Sequence, residues 1–111
     1  MTVKDIVEHL DLAVYAGEAG LNREVEGGYM SDLLSDVMGN AKENQIWLTL
    51  QSHKNALAVA SLKDLAGIIL VKNYKPEQDT IAQANEENMP VLGTEMDAFA
   101  LAGKLYNFLN K

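Results

Sequence analysis

The chain has 111 residues, 48% of them hydrophobic, with 9 Lys plus Arg against 16 Asp plus Glu and a formal net charge of −7. That length fits a single domain, residues 1–111, hiding roughly 65% of its unfolded surface, and with no basic run to follow a phosphate backbone no nucleic acid partner is expected. The lack of any cysteine excludes a disulfide framework, a thiolate zinc site, an iron–sulfur ligand set and a cysteine nucleophile.

No stretch approaches the roughly 20 continuous apolar residues of a bilayer crossing, and "MTVKDIVEHL" carries acids where a signal peptide is basic and then apolar. A cytoplasmic protein without a membrane partner is expected.

Thr2 with Asp5 three residues later forms a capping box, and Val3, Ile6, Val7 and Leu10 follow at helical spacing, which predicts a first helix over 3–9. "LDLAVYA" then sets Leu10, Leu12 and Val14 against Asp11, Ala13 and Tyr15, the period of a half-buried strand. "GEAGLNREVEGGYM" reads as a loop leading into a strand broken or bulged at Gly27 and Gly28. Ser31 is expected to cap a helix of about two turns that Gly39 closes in a left-handed conformation.

"QIWLTL" and "GIILV" are unbroken apolar runs, as in parallel strands covered on both faces. Between them "HKNALAVASLKDLA" fits a helix by length and alanine content, although Leu57 and Val59 also fit a period of two. Pro76 is placed as a first helical residue, Glu77 and Asp79 fall in the first turn, Ile81 and Ala84 face inward, and Pro90 stops the helix before the strand "VLGT". Thr94 with Asp97 reads as a second capping box. Phe99, Leu101, Ala102, Leu105 and Leu109 then form the apolar side of a terminal helix. Trp47 and Met30, Met38, Met89 and Met96 are assigned to the core or a subunit contact.

Strands alternating with helices predict an α/β protein, a three-layer α/β/α sandwich with a mostly parallel sheet and right-handed crossovers. Ligands of such sheets bind beyond the carboxyl ends of the strands, where "QSHKN" and "VKNYKP" fall. Gln51, His53, Lys54, Asn55, Lys72, Asn73 and Tyr74, with Lys75, are the candidate contacts to a small anion, a phosphate or nucleotide, in an otherwise acidic chain. Solvated turn residues are the competing reading. His53 itself reads either as a helix-start residue beside a Ser52 cap or as a ligand contact. Arg23, the only arginine, sits with Asn22 and Glu24 on a Gly-flanked loop that closes over the same edge, suited to bidentate anion contact.

Catalysis is not expected, and neither a metal nor a cofactor is implied. His9 is the only other histidine and no carboxylate stands at a ligand spacing from His53. There is no GxSxG elbow, and Asp64 lies roughly 16 Å from His53 at 1.5 Å per helical residue.

From "GGYMSD" at residue 27 to "LYNFL" ending at residue 109, the chain resembles the DRTGG domain family, in particular its small stand-alone members. The resemblance implies a fold similar to the N-terminal domain of HPr kinase/phosphorylase. It also implies a regulatory role, since such domains accompany catalytic or nucleotide-sensing domains in some phosphotransacetylases and CBS-domain pyrophosphatases. The Asp-Arg and Thr-Gly-Gly of the family name are replaced here by "LQSHKN" and "LVKNYKP", so roles tied to those residues do not carry over. The kinase phosphate loop GxxxxGK[ST] is also missing.

Two functions follow as expectations. One is a non-catalytic regulatory or sensory module for a small anionic ligand. The other is a structural or adaptor protein working through a homodimer or partner surface, which the resemblance links to anaerobic redox metabolism. The homodimer is expected because residues 56–62, apolar nearly all round, need cover on more than one side.

Overall fold

The two apolar runs form the middle of the sheet. The structure, a computed structural model describing residues 1–111, has strands β1 (Ala13–Ala16), β2 (Gly27–Met30), β3 (Gln45–Thr49), β4 (Gly67–Leu70) and β5 (Val91–Gly93). Their order is β1-β5-β4-β3-β2, with β1 alone antiparallel to its neighbour. Helices α1 (Val3–Leu10), α2 (Leu34–Asn40), α3 (Lys54–Leu62), α4 (Gln78–Glu87) and α5 (Ala98–Leu109) cover it.

Alternate residues of β3 and β4 enter opposite layers, because successive strand side chains point to opposite faces. Trp47, Ile68 and Leu70 pack with Val37, Leu57, Ala60 and Ala84, from α2, α3 and α4. Ile46, Leu48 and Ile69 pack with Val3, Ile6, Leu101 and Leu105, from α1 and α5. Each large side chain so buried contributes about 1.5–3 kcal/mol. The result is the expected three-layer sandwich with a mostly parallel sheet.

The α1 capping box is present: Asp5 N–H donates to the Thr2 hydroxyl at 3.3 Å and Thr2 N–H to the Asp5 carboxylate at 2.9 Å. Accepting the Thr2 backbone N–H holds the Asp5 carboxyl below its ordinary range. Between β2 and α2, the Tyr29 hydroxyl donates to Asp36 at 2.8 Å and the Asn40 side-chain amide to the same carboxylate at 3.0 Å. The Tyr29 bond comes first among the causes lowering Asp36, and the same bond raises Tyr29.

Several expectations about element ends are corrected. Val14 is exposed and Ala16 buried, because β1 is an edge strand whose pairing shifts between those residues. β2 runs through Gly27 and Gly28 in unbroken register with β3, so these glycines mark neither a break nor a bulge. The Ser31 hydroxyl accepts Leu33 N–H at 3.2 Å in a local turn, and α2 starts only at Leu34, with no side-chain cap. Gly39 lies inside α2, which ends through Ala41 at φ −69°.

Pro76 stands outside α4, whose cap residue is Glu77, extended at ψ 159°. Thr94 and Asp97 act separately: Thr94 Oγ1 accepts Met96 N–H at 3.2 Å, and Asp97 caps α5 by accepting Ala100 N–H at 2.8 Å. Phe99 is 88% exposed, because turning Leu101 and Leu105 into the core carries it to the far side of α5. Of the residues assigned to the core or a subunit contact, Trp47 and Met89 are buried in the core, whereas Met30 and Met38 are exposed, which leaves a subunit contact as the expectation for them. On α3, Ala56, Leu57, Val59 and Ala60 are covered within the chain, so that helix is not apolar surface all round, and Leu62 at its end is the large apolar side chain it leaves exposed, at 73%.

A candidate ligand site at the strand ends

Because β2 to β5 are parallel, their exits share one edge. β3 and β4 are direct neighbours, Thr49 beside Leu70, and Val71 N–H donates to the Thr49 carbonyl at 3.2 Å. The exit loops holding "QSHKN" and "VKNYKP" therefore lie side by side, as adjacent parallel strands require.

Hydrogen bonds join these loops to each other and to the other exits. The Ser52 carbonyl accepts Glu77 N–H at 3.2 Å and the Thr80 hydroxyl at 3.0 Å. Lys72 N–H donates to the Met96 carbonyl and Asn73 N–H to that of Thr94, both at 2.8 Å. On the β2 side, Asp32 accepts the Thr49 hydroxyl and Leu50 N–H, both at 2.8 Å. The Gln51 amide donates to the Asp32 carbonyl at 2.7 Å.

Lys72 and Asn73 have φ of 57° and 61° in succession. Left-handed backbone costs an L-residue roughly 1–2 kcal/mol, so the bonds to Met96 and Thr94 oppose a strained turn of the kind found at binding sites. Beyond it, Lys75 Nζ donates to Asn73 Oδ1 at 3.2 Å and to the Tyr15 hydroxyl at 3.3 Å, and lies 5.3 Å from the centre of the Tyr15 ring. The Tyr15 ring lies over Gly93 so closely that a β-carbon there would collide with it.

Gln51, His53, Lys72, Asn73 and Tyr74 thus share the edge, but they differ in what occupies them. Gln51 braces the Asp32 loop. His53, and not Ser52, caps α3: its ring Nδ1 accepts Asn55 N–H at 3.1 Å. Asn55 is held in the first turn of α3 by that bond. Lys54 leans toward α4, 3.9 Å from the Asp79 carboxylate, and both are exposed, so the pair contributes about 0–1 kcal/mol. Lys72, Asn73, Tyr74 and Lys75 are all solvent-exposed.

Arg23 does not join this edge, and the loop carrying it does not close over it. Its Nε donates to the Asn88 carbonyl at 3.1 Å and its Nη1 to that of Leu65 at 3.4 Å, both ahead of the strands β5 and β4, at the opposite edge of the sheet. The segment is fixed there by the start of α1, through Val3 N–H to Arg23 O at 3.0 Å and Val25 N–H to Met1 O at 2.8 Å.

The residues missed from sequence are Tyr15, Thr94 and Asp32. Only the antiparallel placement of β1 beside β5 brings Tyr15 to Lys75, and nothing local in "LDLAVYA" signals that pairing. No three His, Asp or Glu side chains gather in a metal-ligating group. Two concavities lie off this edge. One of about 380 Å³ lies between β2 and α5. The other, of about 450 Å³, lies between α1 and α5, where His9 stacks on Phe108 with ring centres 3.8 Å apart.

The fold and this edge define a three-layer α/β domain with polar exit loops gathered at one end of a mostly parallel sheet. The chain belongs to the DRTGG domain family, whose model matches residues 5–108. A similar solved structure is that of the CBS and DRTGG domains of the regulatory region of Clostridium perfringens pyrophosphatase, in complex with its activator diadenosine tetraphosphate. The TM-score is 0.70 at 14% sequence identity, a likeness of fold covering 92% of this chain and 44% of that one. This chain therefore spans less than half the length of that regulatory region.

Proposed function

We propose that this chain is a regulatory module that binds a small anionic ligand of the nucleotide class at the strand-end edge, and that it acts by binding and not by turnover. The observation that carries the reading is the strained turn at Lys72 and Asn73, which sets the exposed Lys72 and Lys75 among the joined exit loops of a chain with net charge −7. The exposed ammonium groups of Lys72 and Lys75 attract a compact anion, and the contact is left to side chains, because the N–H groups of Lys72, Asn73 and Tyr74 already donate to the Met96, Thr94 and Val71 carbonyls. Support by analogy comes from the pyrophosphatase regulatory region, whose activator is a dinucleoside polyphosphate. The ligand contacts assigned are Lys72, Asn73, Tyr74 and Lys75. His53, Gln51 and Lys54 shape the edge beside them.

The test is thermal unfolding of the purified chain with AMP, ATP, diadenosine tetraphosphate or inorganic pyrophosphate. A probe at 100 times its dissociation constant stabilises by about 2.7 kcal/mol. Replacing both Lys72 and Lys75 by alanine should abolish that shift while the unliganded protein stays folded. If no probe raises the melting temperature at millimolar concentration, or if the double variant keeps the full shift, the reading is wrong.

A further inference from the structure

Helix α5 is unlike the rest of the surface. From Ala98 to Leu109 it carries one charged side chain, Lys104, in a chain where 23% of residues are charged. Its outer face exposes Phe99 at 88% and Tyr106 at 68%, seven residues and two helical turns apart, with Gly103 between them. A β-carbon on Gly103 would meet nothing within 4 Å. The same face continues over Leu109 into the concavity of about 380 Å³ beside β2, which Val25, Gly28, Leu105 and the exposed Met30 also line.

We propose that this surface binds a second copy of the same chain, α5 crossing α5 of the partner about a two-fold axis near Gly103. Charge selects the occupant. Two molecules of net charge −7 repel, so self-association needs a contact patch free of acids, and Phe99, Gly103, Tyr106 and Asn110 are all uncharged. A basic partner would call for carboxylates here and an acidic partner for lysines. A two-fold contact also requires a patch complementary to itself, and Gly103 leaves room for an aromatic ring from the opposite helix on either side of the axis.

The area suffices as well. Covered aromatic side chains bury about 150–250 Å² each, so Phe99 and Tyr106 supply a large share of the roughly 800 Å² per partner of a standard interface. Met30 and Leu109 extend it, whereas Glu26, which also lines the concavity, accepts the Asn44 side-chain amide and stays outside the contact. At the other end of the sheet, edge strand β1 is interrupted by its register shift and offers no comparable surface.

This inference is independent of the ligand reading, and sedimentation equilibrium of the unliganded chain tests it. The wild type should sediment at twice its 12.2 kDa mass at concentrations of tens of micromolar. Phe99→Asp combined with Tyr106→Asp should give the monomer with unchanged circular dichroism. Because the chain has no cysteine, Gly103→Cys should form an intermolecular disulfide under mild oxidation, and Ala58→Cys on exposed α3 surface should not. A wild type that stays monomeric at about 100 μM overturns the proposal, as does a dimer that survives the double aspartate substitution or a Gly103→Cys protein that crosslinks no faster than Ala58→Cys.

Discussion

His53 does structural work at its Nδ1 and Ser52 at its carbonyl, which reverses the roles that the residue types suggest. A lost side-chain cap costs about 1 kcal/mol, so His53→Ala should lower stability by about that amount, and His53→Asn, which keeps a capping oxygen, should restore most of it. Ser52→Ala leaves the carbonyl that holds Glu77 and Thr80 in place and should stay within about 0.5 kcal/mol of wild type. Urea unfolding of the three variants checks both statements. At the same scale, the Tyr29–Asp36 bond makes stability depend on pH at both extremes. Asp36 is lowered from 3.8 in the folded protein, so its contribution is present above that value and is lost as pH falls through the lower folded one. Tyr29 is raised from 10.0, so its contribution is present below that value and is lost as pH rises through the higher folded one. Asp36→Asn should flatten the acid and alkaline limbs of the urea midpoint plotted against pH. Unchanged limbs would show that the bond does not persist in solution.

Among the elements, the turn after β1 is the most constrained. Gly17 has φ 73°, its N–H donates to Asn85 Oδ1 at 2.8 Å, and a β-carbon there would collide with the Met89 carbonyl. Left-handed strain and a backbone clash act together, so Gly17→Ala should cost about 2–3 kcal/mol by chemical denaturation. Gly39 and Gly103 show the contrast: a β-carbon at either meets nothing within 4 Å. Sequence made the glycine of "YAGEAG" part of a polar loop and that of "VMGN" a helix terminator, yet the first holds the demanding conformation and the second does not. Which glycine is needed depends on what packs against it, here a turn some seventy residues further along the chain.

The sheet is shared by both helical layers, so the molecule should unfold as one unit. Trp47 lies in the layer built with α2, α3 and α4, and Ile69 in the layer built with α1 and α5. Ile69→Ala, a fully buried truncation, should cost about 2–5 kcal/mol. It should shift the fluorescence transition of Trp47 on the opposite face as far as it shifts the circular dichroism. Separate midpoints for the two probes would mean that the layers unfold independently.

Local sequence determined whatever depends on periodicity and composition. The unbroken apolar runs at β3 and β4 require cover on both faces, the Thr2–Asp5 spacing closes a capping box, and alternation of strands with helices requires a layered α/β fold with "QSHKN" and "VKNYKP" at one edge. Each follows from contacts within a few residues or from the need to bury an apolar face. Tertiary structure alone decided the rest. It placed Arg23 at the far edge because the start of α1 holds that segment, and it laid Tyr15 over Gly93 because β1 runs antiparallel. It also put the larger exposed apolar surface on α5, with Phe99 and Tyr106, since Ala56, Leu57, Val59 and Ala60 of α3 pack within the chain and leave only Leu62 as a large exposed apolar side chain there. Those outcomes rest on pairings between residues distant in the chain, and burial of an apolar face does not fix which neighbour buries it.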